Sequence, residues 1–297
     1  MMLLLGFSMS LTISNLPKIV SVWFSPRLLG ITTGIYVTGM GLGLTLGLLS
    51  GPLFNSWHTA FLFIGAILVI ISILWIVFSK SNPVGAPIHR PSILAGVKVS
   101  VRNRNIWMVA LSFFLFQGAF IIFTGNFPQA LEKLHNMSPK TAGRITSLLT
   151  FGLTIGNIVI PFISDRVGLR KPFVMGASIL GPMILYFSWA LAPNTIIYLL
   201  IFVSGVILGA VPPLLFTFLT EFPEIGPAYI GGAGGLVNGM QGAGGFILPL
   251  IVTSLVLGGE TFPVFNTKFI IAFIVYACVA VPIFFIAETG LKARCKK

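Results

Sequence analysis

Residues 161–172 read Pro161-Phe162-Ile163-Ser164-Asp165-Arg166-Val167-Gly168-Leu169-Arg170-Lys171-Pro172. This short charged stretch separates two long apolar runs, one ending at Ile163 and the other starting at Phe173. Each run reaches the ~20 residues that a helix needs to cross a bilayer. The stretch between them is expected to be a loop at a membrane surface, turned at Gly168, where glycine permits backbone conformations closed to other residues. Asp165 is one of six acidic residues in the chain, and Arg166, Arg170 and Lys171 crowd beside it. Cations gathered in so short a loop mark it as cytoplasmic.

Composition leads to the same place. Of 297 residues, 56% are hydrophobic and 8% charged, which is the balance of a polytopic membrane protein and not of a soluble domain. The net charge of +12 does not indicate nucleic acid, because the cations sit in short loops between apolar runs and no soluble domain carries them. Cys278 and Cys295 have neither metal-ligand nor disulfide-framework spacing. His58, His89 and His135 fall in different loops. No metal site, cofactor, nucleophile or catalytic dyad is expected, so an enzyme is disfavoured. The first residues lack the basic n-region of a signal peptide, and the chain is expected to start inside an apolar run.

The hydropathy pattern predicts an all-α membrane protein with nine transmembrane helices, near 2–24, 28–53, 59–79, 106–125, 141–163, 173–192, 195–219, 229–257 and 266–287. Thirteen cations fall on the side of the 161–172 loop: Arg27, Lys80, Arg90, Lys98, Arg102, Arg104, Arg166, Arg170, Lys171, Lys292, Arg294, Lys296 and Lys297. Four fall opposite, at Lys133, Lys140, Arg144 and Lys268, and Lys18 lies inside the first span. This bias predicts a cytoplasmic C-terminus in a multi-pass cell-membrane protein. Residues 80–105 hold Pro83, Pro87 and Pro91 and a basic cluster, and read as a linker. It divides a partial N-terminal bundle of three helices (1–79) from a six-helix C-terminal bundle (106–290), with a basic tail at 291–297.

A shift of 201 residues brings Pro26 onto Pro227, Gly30 onto Gly231, Gly34 onto Gly235, Gly41 onto Gly242 and Gly43 onto Gly244. Internal repeats of this kind mark secondary transporters. The competing explanation is chance between two glycine-rich stretches.

Several motifs resemble those of the major facilitator superfamily. Asp165, Arg166 and Gly168 match its Gly-x-x-x-Asp-Arg-x-Gly-Arg-Arg loop, with Pro161 for the first glycine and cations at Arg170 and Lys171. Trp23-Phe24-Ser25-Pro26-Arg27 followed by Gly30 and Gly34 resembles the turn between the family's fourth and fifth helices. Gly47-x-x-x-Gly51-Pro52 resembles part of its fifth-helix motif, and Trp57-His58-Thr59-Ala60-Phe61 the start of its sixth. Glu288-Thr289-Gly290 matches a familiar ending of the last helix. The resemblance spans the chain as helices four to twelve of twelve, and Asn15-Leu16-Pro17-Lys18 points to the cyanate and nitrate porter branch. It implies a secondary transporter of a small solute working by alternating access, with a lipid bilayer and a small-molecule substrate as partners and three further N-terminal helices from a longer gene product. A small anion is the expected substrate class. The alternative is a truncated, non-transporting membrane fragment.

Polar residues at midplane depth are the candidates for substrate contact. Lys18 lies about 9 Å from the inner end of its helix, where it either snorkels or lines the cavity as a cation. Gln117 is expected to line the cavity; Asn238 and Gln241, three apart, share a helix face. Asn157 is expected to bond between helices. The glycine-dense helix from Tyr229 should face its neighbours, with part of that face open and Phe246-Ile247-Leu248 embedded. Asp165, Arg166, Arg170, Arg27 and Glu221 form an expected cytoplasmic gate, Asp165 meeting residues 26–30 and Arg166 or Arg170 meeting Glu221 or Glu224. None of the six carboxylates is expected at midplane depth.

Overall fold

The computed structural model describes residues 16, 19–20, 23–24, 29–50, 54, 56–79, 93–190, 196–222 and 225–290. Among these residues there are eleven helices and no strand. They are α1 (Leu29–Ser50), α2 (Trp57–Phe78), α3 (Ile93–Arg102), α4 (Arg104–His135), α5 (Pro139–Val167) and α6 (Lys171–Ala190). There follow α7 (Ile196–Leu208), α8 (Val211–Glu221), α9 (Gly226–Leu255), α10 (Phe262–Ala277) and α11 (Ala280–Phe284). Seven segments are long and apolar enough to cross a membrane, α7 with α8 and α10 with α11 each acting as one, and α1 adds the shorter apolar stretch Ile31–Gly47. These match eight of the nine predicted spans. The ninth, 2–24, lies almost wholly outside the described residues, as do Lys18, Arg27, Glu224, residues 80–92 and the tail 291–297.

Short polar caps fix the helix ends. Asn103 Oδ1 accepts from the backbone N–H groups of Asn105 (2.8 Å) and Ile106 (3.3 Å) at the start of α4. Ser138 Oγ accepts from Thr141 N (3.2 Å) at the start of α5, where Pro139 occupies the first turn without losing a needed donor. α5 runs on past Ile163 to Val167, so Asp165 and Arg166 belong to its last turn and the loop itself is shorter than expected. Gly168 ends the helix in the left-handed region, at φ 73°, and its N–H bonds Ser164 O at 2.8 Å.

The breaks follow from proline. Pro212 and Pro213 lack the N–H groups that would bond the carbonyls of Leu208 and Gly209. The expected span 195–219 therefore parts at Gly209–Ala210, one turn before the prolines, which then sit in the first turn of α8. Pro282 does the same to the last span, which parts at Cys278–Val279. α3 was not expected within the linker. Gly96 and Ser100, one turn apart, are buried, and an added Cβ at Gly232 of α9 would meet the Gly96 carbonyl carbon at 2.7 Å.

α4 and α5 form the spine. α4 packs against α9 and α10, α5 against α7 and α1, and α6 closes on α7 and α10. The core between them is aromatic: Phe113, Phe127, Phe216, Phe218, Phe269, Trp189 and Tyr276 are fully buried. Phe113 and Phe216 sit with ring centroids 4.6 Å apart, and Trp189 meets Phe269 edge-on at 4.7 Å. A close helix approach pairs Gly152 and Gly156 of α5 with Gly205 and Gly209 of α7. A Cβ at any of these four would strike a backbone carbonyl of the facing helix. Two small-x-x-x-small pairs thus let the backbones touch, which is how membrane helices gain packing where lipid is as apolar as leucine. α2 packs against almost nothing among the described residues, and its apolar side chains stand exposed along its length.

Candidate functional site

Two polar clusters stand out, one at mid-height and one at the end carrying the 168–171 loop. At mid-height, Gln117 lies about 20 Å along α4 and Gln241 about 22 Å along α9, at 1.5 Å per residue. Glycines bring these helices together: a Cβ at Gly244 would strike the Phe114 carbonyl, and one at Gly245 would meet Gln117 Cγ at 3.1 Å. The contact seats Gln241 Nε2 against Gln117 Oε1 at 3.1 Å. One amide–amide bond uses one donor and one acceptor, so this half-buried pair keeps a second donor and acceptor available.

Asn238, one turn before Gln241, has both side-chain polar atoms buried and without a hydrogen-bond partner. The same holds for Asn157 of α5, which is fully buried, and for the Tyr36 hydroxyl of α1. Buried amides without partners are uncommon in folded proteins. Around Asn238 the α9 face is open: a Cβ at Gly231, Gly235, Gly239 or Gly242 would meet nothing within 4 Å. Part of the glycine face is thus uncovered, as the sequence suggested. The expected embedding of Phe246-Ile247-Leu248 is corrected: Phe246 is 70% exposed and Ile247 41%. Gly244 faces α4, and two residues on, about 200° round the helix, a side chain points away from it. Leu248 alone of the three turns back, meeting Gly118 of α4.

α1 meets α5 along a seam of hydroxyls and glycines. Gly34 abuts the Asn157 carbonyl, Gly41 abuts Thr154, and Thr45 Oγ1 lies 2.8 Å from Thr150 Oγ1. Each of these hydroxyls also has an acceptor on its own helix. Thr45 bonds Gly41 O at 2.7 Å, Thr150 bonds Ser147 O at 3.0 Å and Thr154 bonds Thr150 O at 2.9 Å. The seam can part without stranding a donor.

At the other cluster, Arg170 is buried and forked between two acids. It forms an ion pair with Asp165 Oδ1, lies 3.1 Å from Glu221 Oε1, and donates to Ser164 Oγ at 3.2 Å. Burial alone would lower the guanidinium pKa; Glu221 and then Asp165 outweigh it and hold it raised. Glu221 Oε2 accepts from Thr289 Oγ1 at 2.6 Å. Glu288 accepts from the backbone N–H groups of Arg170 (2.8 Å) and Lys171 (3.0 Å) at the start of α6. Lys171 Nζ in return bonds Phe284 O (2.6 Å) and Ile286 O (3.1 Å) at the end of α11. Each charge sits at the helix end whose partial charge it complements.

Of the expected gate residues, the structure brings together Asp165, Arg170 and Glu221. Arg166 instead lies over the Phe162 ring, 4.3 Å from its centroid. The expected meeting of Asp165 with residues 26–30 falls largely outside the described residues, as do Lys18 and Arg27. The described carboxylates, Glu132, Asp165, Glu221, Glu260 and Glu288, all lie at helix ends or in turns. No group of three or more His, Cys, Asp or Glu among the described residues could hold a metal.

Comparison with known proteins agrees with the fold. The nitrite extrusion protein of Bacillus subtilis (strain 168) is 25% identical over 256 residues, covering 84% of this chain and 61% of that protein. The probable nitrate transporter NarT of Staphylococcus epidermidis is 26% identical over 259 residues, covering 84% and 62%. The chain thus spans about three fifths of the length of these relatives. A bacterial homologue of the iron transporter ferroportin, solved in an outward-facing state, superposes with a TM-score of 0.69 at 17% identity, over 93% of this chain and 68% of that one. The family model described as Major Facilitator Superfamily matches residues 1–249 and 126–293. With the helical spans, the loop motif at Asp165 and this match all in agreement, the chain is a multi-pass membrane protein that belongs to the major facilitator superfamily.

Proposed function

We propose that this protein carries a small anion of the nitrite or nitrate class across the cell membrane by alternating access, with its C-terminus in the cytoplasm. The observation that supports this most is the neutral amide cluster at mid-height, Gln117, Gln241 and Asn238, in a family whose similar members include a nitrite extrusion protein and a probable nitrate transporter. Amide N–H groups donate to an oxyanion without burying an opposing charge. Residues 1–79 and 106–290 act as the two rocking bundles around this site, with 80–105 as their linker, and Lys18 adds a cation. Asp165, Arg166, Arg170, Arg27 and Glu221 form the cytoplasmic gate.

The test is anion flux into vesicles holding the purified full chain, with nitrite or nitrate as the probe. Flux above that of empty vesicles is expected. Gln241→Ala should weaken apparent affinity about tenfold or more, since a hydrogen bond to a charged group is worth ~1.5–3 kcal/mol. A membrane-inserted fragment without transport predicts normal insertion and no flux in the same vesicles. Such a result, with no anion binding, would reject transport.

The α1–α5 seam is the parting line of this mechanism. With Cys278 and Cys295 replaced by serine, a Thr45→Cys/Thr150→Cys pair should cross-link under oxidation, because the native hydroxyls are 2.8 Å apart. The cross-link should stop flux, and reduction should restore it. Full flux through the cross-linked protein would rule out separation at this seam.

A further inference from the structure

The cations of α3 are not used by either cluster. On this helix Gly96 and Ser100 face α9, while Lys98, Val101 and Arg102 are exposed, at i, i+3 and i+4 on the opposite side. Arg104, also exposed, begins α4 and lies 5.9 Å from the Phe285 ring centroid. The Trp107 indole donates to Val101 O at 2.8 Å, fixing the ring against the end of α3. Below it an apolar strip continues along α4 and α11 through half-exposed Trp107 and Leu111 and exposed Phe284 and Phe285.

Among the described residues no acid is disposed to neutralise these cations. Residues 1–131 contain no Asp or Glu at all. At this end of the bundle Asp165 and Glu221 are committed to Arg170, and Glu288 to the start of α6. Among the described residues, Lys98, Arg102 and Arg104 form no ion pair. A tryptophan at the edge of an apolar strip marks the headgroup level of a bilayer. Basic residues at that level, on the polar side of an amphipathic helix, complement lipid phosphates.

We infer that Lys98, Arg102 and Arg104, with Trp107 beneath them, form a binding site for an anionic glycerophospholipid. The headgroup phosphate lies among the three cations, and an acyl chain runs down Trp107 and Leu111. The site is independent of the transport reading and of which face of the membrane is cytoplasmic.

The test uses the purified full chain in phosphatidylcholine vesicles containing a minor fraction of dibrominated lipid, either phosphatidylglycerol or phosphatidylcholine with the same chains. Trp107 quenching is read as the difference between the wild type and Trp107→Phe. Brominated phosphatidylglycerol should quench Trp107 far more than brominated phosphatidylcholine, with an enrichment of roughly fivefold for each engaged cation. Lys98→Gln/Arg102→Gln/Arg104→Gln should abolish that preference. Neutralising Lys292, Arg294 and Lys296 in the tail should leave it intact. Equal quenching by the two lipids in the wild type would overturn the site. So would loss of the preference in the tail variant alone, which would show general attraction to the charged surface. Should the triple variant fold poorly, Arg102→Gln and Arg104→Gln singly give the same graded readout, and a preference unchanged in both overturns the site.

Discussion

Arg170→Met is expected to destabilise the protein by about 3–5 kcal/mol, the range for removing one member of a buried ion network. The residue is 3% exposed, and its two carboxylate partners, Asp165 and Glu221, are 14% and 5% exposed. Methionine fills most of the volume but leaves two poorly hydrated acids facing each other. Glu221 keeps its bond from Thr289, which offsets only part of that loss. The loop also loses the guanidinium bond to Ser164, whose hydroxyl bonds Leu169 O at 2.6 Å. Arg170→Lys should recover only part of the stability, because an ammonium lacks the planar fork that reaches three groups at once. Asp165→Asn should cost less than Glu221→Gln, since Asp165 is the more exposed acid. Thermal unfolding of the detergent-purified chain, followed by size-exclusion chromatography, reads all four. A midpoint for Arg170→Met within experimental error of the wild type would show that the network is incidental.

Much of this arrangement was legible in the sequence. The charged stretch from Asp165 to Lys171 marked the join between α5 and α6, although the loop itself runs only from Gly168 to Arg170. Glu288-Thr289-Gly290 was recognisable only as a familiar ending. Its role appears in three dimensions, where Glu288 caps α6 and Gly290 abuts the Gly168 carbonyl. The separation of more than a hundred residues hides that contact from any local pattern. The pairing of Gln117 with Gln241 was likewise out of reach, although each was a candidate for its depth. α3 escaped notice because the prolines before it made the whole linker read as irregular. Its amphipathic spacing, with Lys98 and Arg102 against Gly96 and Ser100, was the signal that could have revealed it. The glycines of α9 are denser in sequence, but a sparser pattern on α5 and α7 packs backbone on backbone. Gly152-x-x-x-Gly156 and Gly205-x-x-x-Gly209 carry the small-x-x-x-small spacing outright.

Gly156→Ala should separate α5 from α7 and lower stability by about 1–3 kcal/mol, the usual cost of overpacking a close contact. Helix propensity pulls the other way, since alanine is favoured over glycine by ~1 kcal/mol in a helix interior. Sterics win here because of what the new methyl meets. A Cβ at Gly156 would strike the Val206 carbonyl oxygen, with Val206 C at 2.8 Å and Gly209 Cα at 3.0 Å. All three are backbone atoms, so no side chain can rotate away and the helices must move apart. At Gly125 of α4 and Gly176 of α6 a Cβ meets nothing within 4 Å. There Gly→Ala should be neutral or stabilising by up to ~1 kcal/mol. The opposite signs at chemically identical substitutions isolate the helix contact from propensity. Displacement of α5 should also reach the site, because the same helix carries Thr150 and Thr154 to the α1 seam. Cross-linking of the Thr45→Cys/Thr150→Cys pair should therefore slow when Gly156→Ala is added, and remain unchanged with Gly176→Ala. Equal stability for Gly156→Ala and Gly176→Ala, with equal cross-linking, would contradict the close α5–α7 approach.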